Sequence, residues 1–298
     1  MSQPRYVVYL DLLGFSGFVR SHEVDDVLRL YDRLFRAVLF SLFTQAQTLV
    51  GQIVAAGHFD AIQKSAFWQH FERVGKLLCT NEPIDSKSEL DAFLAQLFPY
   101  DFLVLSDSLV FISAEAPNQA ERMAGLEISV RLAREFVAAA FLHGLPMRGA
   151  ISFGDLHIDR KRQVYFGRAF LEAMAHEREQ EWIGCCLTPS LAIPFEEYKA
   201  EYGRQAEPWK WKVTPLGPLS RHTIHPYPVP VKGRETKDQL IVNWAGAIIG
   251  KIKVHEAMFS KVLTGIPDHD RKWQNTYAYL DWWMKLLENQ LKKGKVVV

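Results

Sequence analysis

Two aspartates, Asp11 and Asp107, stand where a carboxylate can do more than solvate a surface. Asp11 closes the apolar run Tyr6-Val7-Val8-Tyr9-Leu10, and Asp107 lies in the polar step Ser106-Asp107-Ser108 between Phe102-Leu103-Val104-Leu105 and Leu109-Val110-Phe111-Ile112. Carboxylates converging beside a backbone-rich turn suit Mg²⁺ or Mn²⁺, which prefer hard oxygen ligands and share their remaining positions with water and phosphate. Such ions activate an attacking hydroxyl and offset the charge of a transferring phosphoryl group. The turn Gly14-Phe15-Ser16-Gly17, which leads into a helical pattern, offers backbone N–H groups where a triphosphate would lie. Either aspartate alone also fits ordinary turn chemistry, in which the carboxylate caps a backbone N–H. The metal reading is favoured by the two positions taken together, and those depend on the surrounding elements.

The first strand reads as a short, continuously apolar run, as in a strand buried on both faces. Apolar residues at helical spacing then predict a helix over roughly 24–43. The segments on either side of Ser106-Asp107-Ser108 read as a hairpin. Residues 118–142 carry a helical period and stop at Gly144 with Pro146 beyond, and Met147 to Phe153 reads as a strand. Strand, helix, hairpin, helix, strand is the ferredoxin-like, split βαβ order of an α+β protein, in which the first strand and the hairpin are neighbours. Residues 44–100 read as an insertion, with short helices near 67–78 and 90–97, the second capped around Asp85-Ser86-Lys87-Ser88. Beyond the palm come a basic turn at 159–162, an extended stretch at 164–167, a helix over 170–182, a strand over 183–187 and a helix start at Pro189. Five prolines between 215 and 230 suit neither a helix nor a central strand, and place a boundary between a unit 1–214 and an extension 215–298. The extension reads as a Pro-rich linker, a strand over 239–244 and helices over 251–264 and 272–292. The last carries an aromatic stripe that needs a partner surface.

Composition narrows the partners. In 298 residues, 35 Lys and Arg face 34 Asp and Glu, a formal net charge of +1, so no global field attracts nucleic acid or an anionic membrane. Hydrophobic residues make up 48% of the chain, with 19 Phe, 10 Tyr and 8 Trp, enough for a proper core and against disorder. The adjacent Cys185 and Cys186 and the distant Cys79 point to a reduced compartment. The apolar stretch before Asp11 is too short for a signal segment or a membrane span. A soluble cytoplasmic protein is the expectation.

The ordered motifs resemble a known family. Asp11-Leu12-Leu13-Gly14-Phe15-Ser16 is similar to the first metal-binding motif of class III nucleotidyl cyclases, and Ser106-Asp107-Ser108 to the hairpin turn carrying their second metal aspartate. Met147-Arg148-Gly149-Ala150-Ile151-Ser152-Phe153-Gly154 resembles their later Arg-x-Gly-Ile-x-x-Gly strand, and Tyr165-Phe166-Gly167 the Gly before their last catalytic helix. The likeness covers about 1–190. The departures lie at the base: Leu103 stands where adenylate cyclases place a purine-reading Lys, and Val164 where they place its Asp partner. Leu171 and Ala175 stand where the family has its transition-state Asn and Arg. Metals kept and purine readers changed looks most like the bacterial Pycsar pyrimidine cyclases.

That resemblance implies a class III cyclase palm with two Mn²⁺ or Mg²⁺ ions held by Asp11, Asp107 and the Leu12 carbonyl. Gly14, Phe15 and Ser16 would take the triphosphate, and Leu103 and Val164 would line the base pocket. It implies a homodimer with sites at the subunit interface, where Arg148, Arg168 or Arg178 replaces the missing transition-state Arg. The product would be cyclic UMP, or cyclic CMP, made for a downstream effector in antiphage defence. A purine cyclase with base readers in the 44–100 insertion, and a catalytically silent nucleotide- or protein-binding module, are the alternatives. Three further signals carry less. The pair His222 and His225 lacks further ligands for zinc, the run Arg160-Lys161-Arg162 is ordinary for a solvated turn, and Cys185-Cys186 reads as buried packing.

Overall fold

The computed structural model describes residues 3–55, 63, 66–79, 85–97, 100–202, 219, 223–233, 236–248 and 267–292. Its first strand, β1 (Gln3–Leu12), runs into a one-turn reversal at Gly14 and the short helix α1 (Phe15–Ser21). The long helix α2 (Val24–Ala55) follows, twelve residues longer at its C-terminal end than the periodicity predicts; Ala46 and Val50 of that extra length are buried in the core while most of its other described residues are exposed. The helix α3 (Ala66–Cys79), which precedes α4 (Ser86–Leu97), meets α2 where Phe71 stacks on Phe43. The hairpin β2 (Tyr100–Leu105) and β3 (Ser108–Ser113) then leads to α5 (Gln119–Leu142) and β4 (Met147–Asp159). Asn118 caps α5 through its side chain, which accepts the Glu121 N–H at 3.0 Å. Asp85 caps α4 in the same way, accepting from the Ser88 backbone at 3.0 Å and its hydroxyl at 2.7 Å.

Four strands lie in the order β2-β3-β1-β4, every neighbouring pair antiparallel. This is the expected split βαβ sheet, and the fold is mixed α+β. Alternation along β1 divides its side chains cleanly: Tyr6, Val8, Leu10 and Leu12 enter a large core with residues of α2 and α5, while Val7 joins a small cluster on the opposite face. That cluster is completed by Val110, Ile112, Leu156, Ala169 and Ala173. Close approach of β1 and β4 requires a residue without a side chain at Gly149, where a Cβ would lie 2.4 Å from the Tyr9 carbonyl oxygen.

The sheet continues past β4. The strand β5 (Val164–Gly167) folds back on the far end of β4, α6 (Arg168–Glu179) lies across the small-cluster face, and β6 (Gly184–Leu187) adds in parallel to β4. Pro189 opens a 3-10 turn before α7 (Ala192–Tyr202). Within the expected Pro-rich linker, residues 224–229 are instead a strand, β7 (Ile224–Val229), paired with β8 (Lys237–Val242) at the end of the same sheet. Pro226 and Pro228 are exposed and sit on the terminal strand, where a missing N–H breaks no second ladder and discourages further pairing. The helix expected over 251–264 lies outside the described residues. The final helix, α8 (Pro267–Lys292), turns its aromatic stripe inward: Tyr279 packs on Trp182, Tyr227 and Trp244, and its hydroxyl donates to Asn243 at 2.9 Å. Trp273 reaches Phe141 on α5, so the stripe's partner surface is the chain's own core. Cys185 and Cys186 are buried there as free thiols.

Candidate functional site

The sheet brings the two aspartates to one edge. In the β1–β3 register Asp11 lies opposite Ser108, and the next residue continues the ladder into the hairpin turn, the Leu12 N–H donating to the Asp107 carbonyl at 2.9 Å. On its other side Asp11 lies opposite Arg148 of β4. The turn itself is tight: Ser106 has a φ of 57°, the left-handed region that side chains other than glycine seldom adopt. Tyr31 of α2 fixes this turn from outside, its hydroxyl donating to the Ser106 carbonyl at 2.8 Å. Nearby carboxylates and burial push the Tyr31 phenol up to about 12, burial being the larger cause and Asp107 and Asp11 the next.

Asp11 is the most perturbed carboxyl of this edge. It is pushed from 3.8 up to about 6, chiefly by burial, then by the negative charges of Glu177 and Asp107. The Ser108 hydroxyl, donating to Asp11 Oδ1 at 3.1 Å, and the Arg148 guanidinium oppose the rise without cancelling it. Glu177, on the inward face of α6 one turn beyond Ala173, is almost wholly buried and ion-paired with Arg148. Its carboxyl is nevertheless raised, because burial outweighs the guanidinium. Arg148 also donates to the Gln180 carbonyl at 2.8 Å, so its guanidinium is committed within its own chain.

Asp11 therefore feels two further carboxylates, Glu177 and Asp107, beside an Arg148 already engaged by Glu177, and the donors at the edge are hard oxygens. That donor set fits Mg²⁺ or Mn²⁺: a divalent ion held by Asp11 and Asp107 would offset the repulsion that adds to burial in raising Asp11. Among the described residues no three His, Cys, Asp or Glu side chains form a cage. An ion here would complete its shell with water and phosphate oxygens.

The other expected site residues are distributed around this edge. Gly14, with a φ of 77°, allows the reversal after β1 and accepts from the Gly17 and Phe18 N–H groups at 3.1 Å. Phe15 is buried against Tyr31, while Ser16 is exposed. Leu103 is half-buried on β2, at the rim of the small cluster, and Val164 is exposed on β5. The strands β3, β1 and β4 separate these two within one chain, so a single subunit does not bring them together. Arg168 and Arg178, at the two ends of α6, are exposed. Gly167 opens that helix with its backbone against β4, a Cβ there lying 2.3 Å from the Asp155 carbonyl oxygen. Of the signals set aside, Arg160 makes a two-pronged pair with Asp101 at 2.7 Å and Arg162 pairs with Asp159, while His225 packs on Trp283. His222 lies outside the described residues.

Sequence reasoning missed Ser108, Tyr9 and Glu177. Ser108 was legible as the residue that an antiparallel hairpin sets beside Asp11, and Glu177 from the i, i+4 row Ala169, Ala173, Glu177, which predicts one inward helix face.

No protein-family model matches the sequence, and a comparison with curated proteins gives no match. Among solved structures, the catalytic core of a rhodopsin-guanylyl cyclase with converted specificity, in complex with ATPαS, aligns with 81% of this chain and 95% of that chain, at 10% identity and a TM-score of 0.34. The fold and the edge of the sheet define an α+β protein with a split βαβ core and an acidic, oxygen-rich site. No helix of the described residues is long and apolar enough to cross a membrane.

Proposed function

We propose that the protein is a metal-dependent nucleotide cyclase. It converts a pyrimidine nucleoside triphosphate, UTP before CTP, to the 3′,5′-cyclic monophosphate and pyrophosphate. One observation carries the reading: β1–β3 pairing joins the end of the first strand to the hairpin turn, so Asp11 and Asp107 share one edge, where Asp11 feels the charge of Asp107. Asp11, Asp107 and the Leu12 carbonyl would hold two Mn²⁺ or Mg²⁺ ions, which when bound help the ribose 3′-hydroxyl attack the α-phosphate and stabilise departing pyrophosphate. Gly14, Phe15 and Ser16 cradle the triphosphate at the reversal after β1. The turn held by Tyr31 fixes Asp107 against the end of β1. A homodimer suits the exposed Val164, Phe166 and Leu171, apolar side chains around the β5–α6 junction that a second copy would cover. In it, Leu103 of one subunit and Val164 of the other line the base. With Arg148 engaged by Glu177, the charge of the transferring phosphoryl group falls to Arg168 or Arg178. The UTP preference, the antiphage role and the downstream effector rest on the family resemblance.

A silent nucleotide- or protein-binding module is the second reading, favoured by one observation: the outward positions of α6 that carry polar catalytic groups in the resembled family are Leu171, 67% exposed, and Ala175. Incubation with Mn²⁺ and all four nucleoside triphosphates, with products identified by mass spectrometry, separates the readings. Cyclic UMP or CMP supports the proposal, cyclic AMP or GMP a purine cyclase, and absence of product with intact nucleotide binding the silent module. The double substitution Leu103→Lys with Val164→Asp tests the base pocket: unchanged preference and rate remove those residues from it.

A further inference from the structure

Asp11 is held by more than its place on a strand. Its Oδ1 accepts the Ser108 hydroxyl at 3.1 Å, and the Ser108 Oγ lies 2.7 Å from the Tyr9 hydroxyl. Proton counting gives this chain a direction. An ionised Asp11 only accepts, Ser108 has one hydroxyl proton and spends it on Asp11, so Tyr9 must donate to Ser108. Ser108 is 5% exposed and lies opposite Asp11 in the β1–β3 register, and Tyr9 shares the face of Asp11 two residues earlier. The Tyr9 ring is steadied edge-on by Phe170 of α6, with centroids 6.0 Å apart. Arg148, the neighbour on the other strand, is turned to Glu177 and Gln180, which leaves the hydroxyl pair as the side-chain hydrogen bonding of Asp11 among the described residues.

We propose that Ser108, backed by Tyr9, is a positioning residue that fixes the orientation of the Asp11 carboxylate, through the hydrogen bond to Oδ1, at the edge where a divalent cation would bind. This rests on the metal reading of the preceding section. Groups that orient a ligand from behind typically change metal affinity 10–100-fold when removed.

The test is calorimetric titration of the full chain with Mn²⁺ alone, without nucleotide, on the wild type, Ser108→Ala, Ser108→Thr, Tyr9→Phe and Asp11→Ala, with the metal-free melting temperature of each. The expected result is a loss of about tenfold in Mn²⁺ affinity for Ser108→Ala, a smaller loss for Tyr9→Phe, retention in Ser108→Thr, and metal-free melting within a few degrees of the wild type. Wild-type affinity in Ser108→Ala, with binding abolished in Asp11→Ala, overturns the positioning role and leaves the metal site standing. Absence of Mn²⁺ binding in the wild type overturns both. If Ser108→Ala fails to fold, the other two variants decide: affinity kept in Ser108→Thr and reduced in Tyr9→Phe supports the relay, and equal affinity in Tyr9→Phe and the wild type removes it.

Discussion

Along β1, Tyr6, Val8, Leu10 and Leu12 enter the large core with α2 and α5, whereas Val7, Tyr9 and Asp11, interleaved with them, belong to the face crossed by α6. The same strands continue this division: Leu109 and Phe111 of β3 join the large core, and Val110 and Ile112 the small one. The crowded face is apolar and stacked, with Phe102, Phe111 and Phe136 ring against ring. The other face mixes a few small and branched side chains with hydroxyls, carboxylates and ion pairs, the Arg148–Glu177 pair among them. Period-two alternation thus lets ten residues of strand supply both the fold's main apolar support and its acidic edge. Stability and chemistry are separated by direction rather than by position along the chain.

If that separation is real, substitutions on the two faces should fail in different ways. On the crowded face, Phe111→Ala should cost about 3–5 kcal/mol in denaturant unfolding, through lost burial and the cavity left against Phe102 and the buried Phe136. On the other face, Arg148→Met leaves Glu177 buried without its partner. A loss of about 3 kcal/mol is expected in the same measurement, largely recovered in the double variant with Glu177→Gln. Near-additive losses would show that the pair is not coupled.

Asp11→Asn should do the opposite and stabilise the metal-free protein. The folded pKa of Asp11, about 6, lies above its ordinary 3.8. Its contribution is therefore fully favourable below the ordinary value and is lost as pH rises through about 6, which leaves the charged form costing roughly 2–3 kcal/mol at neutral pH. Thermal melts of Asp11→Asn should show a stabilisation over the wild type at about pH 8 that disappears near pH 4, and a melting temperature that no longer responds to Mn²⁺. The smallest effect belongs to Leu103→Ala, at the half-buried rim, which should cost about 1 kcal/mol or less in stability. A shift in nucleotide preference there, without a change in melting, would place it at the base.

Much of this was legible in the sequence, and the reasons are local. The cap at Asp85, the Gly144 stop and the hairpin about Asp107 are written in residues within a turn of the feature they specify. What was not legible depends on distant partners. Among the described residues the later turns of α2 contribute only Ala46 and Val50 to the core, too few to show as a helical period, and β7 is a strand despite its prolines because it forms the sheet's end against β8. Neither fact exists in a short window. The acidic edge divides similarly: Asp11 and Asp107 stood out by their motifs, whereas Ser108 and Glu177 acquire their meaning from register and from packing across the sheet. Arg148 looked like an available cation until the fold set Glu177 beside it.

The most direct test of the account compares the wild type with Asp107→Ala in Mn²⁺ and the preferred nucleoside triphosphate, following cyclic product by mass spectrometry. The account predicts a cyclic nucleotide from the wild type and none above background from Asp107→Ala, with oligomeric state and melting temperature preserved. Near-normal product from Asp107→Ala would contradict the two-aspartate site.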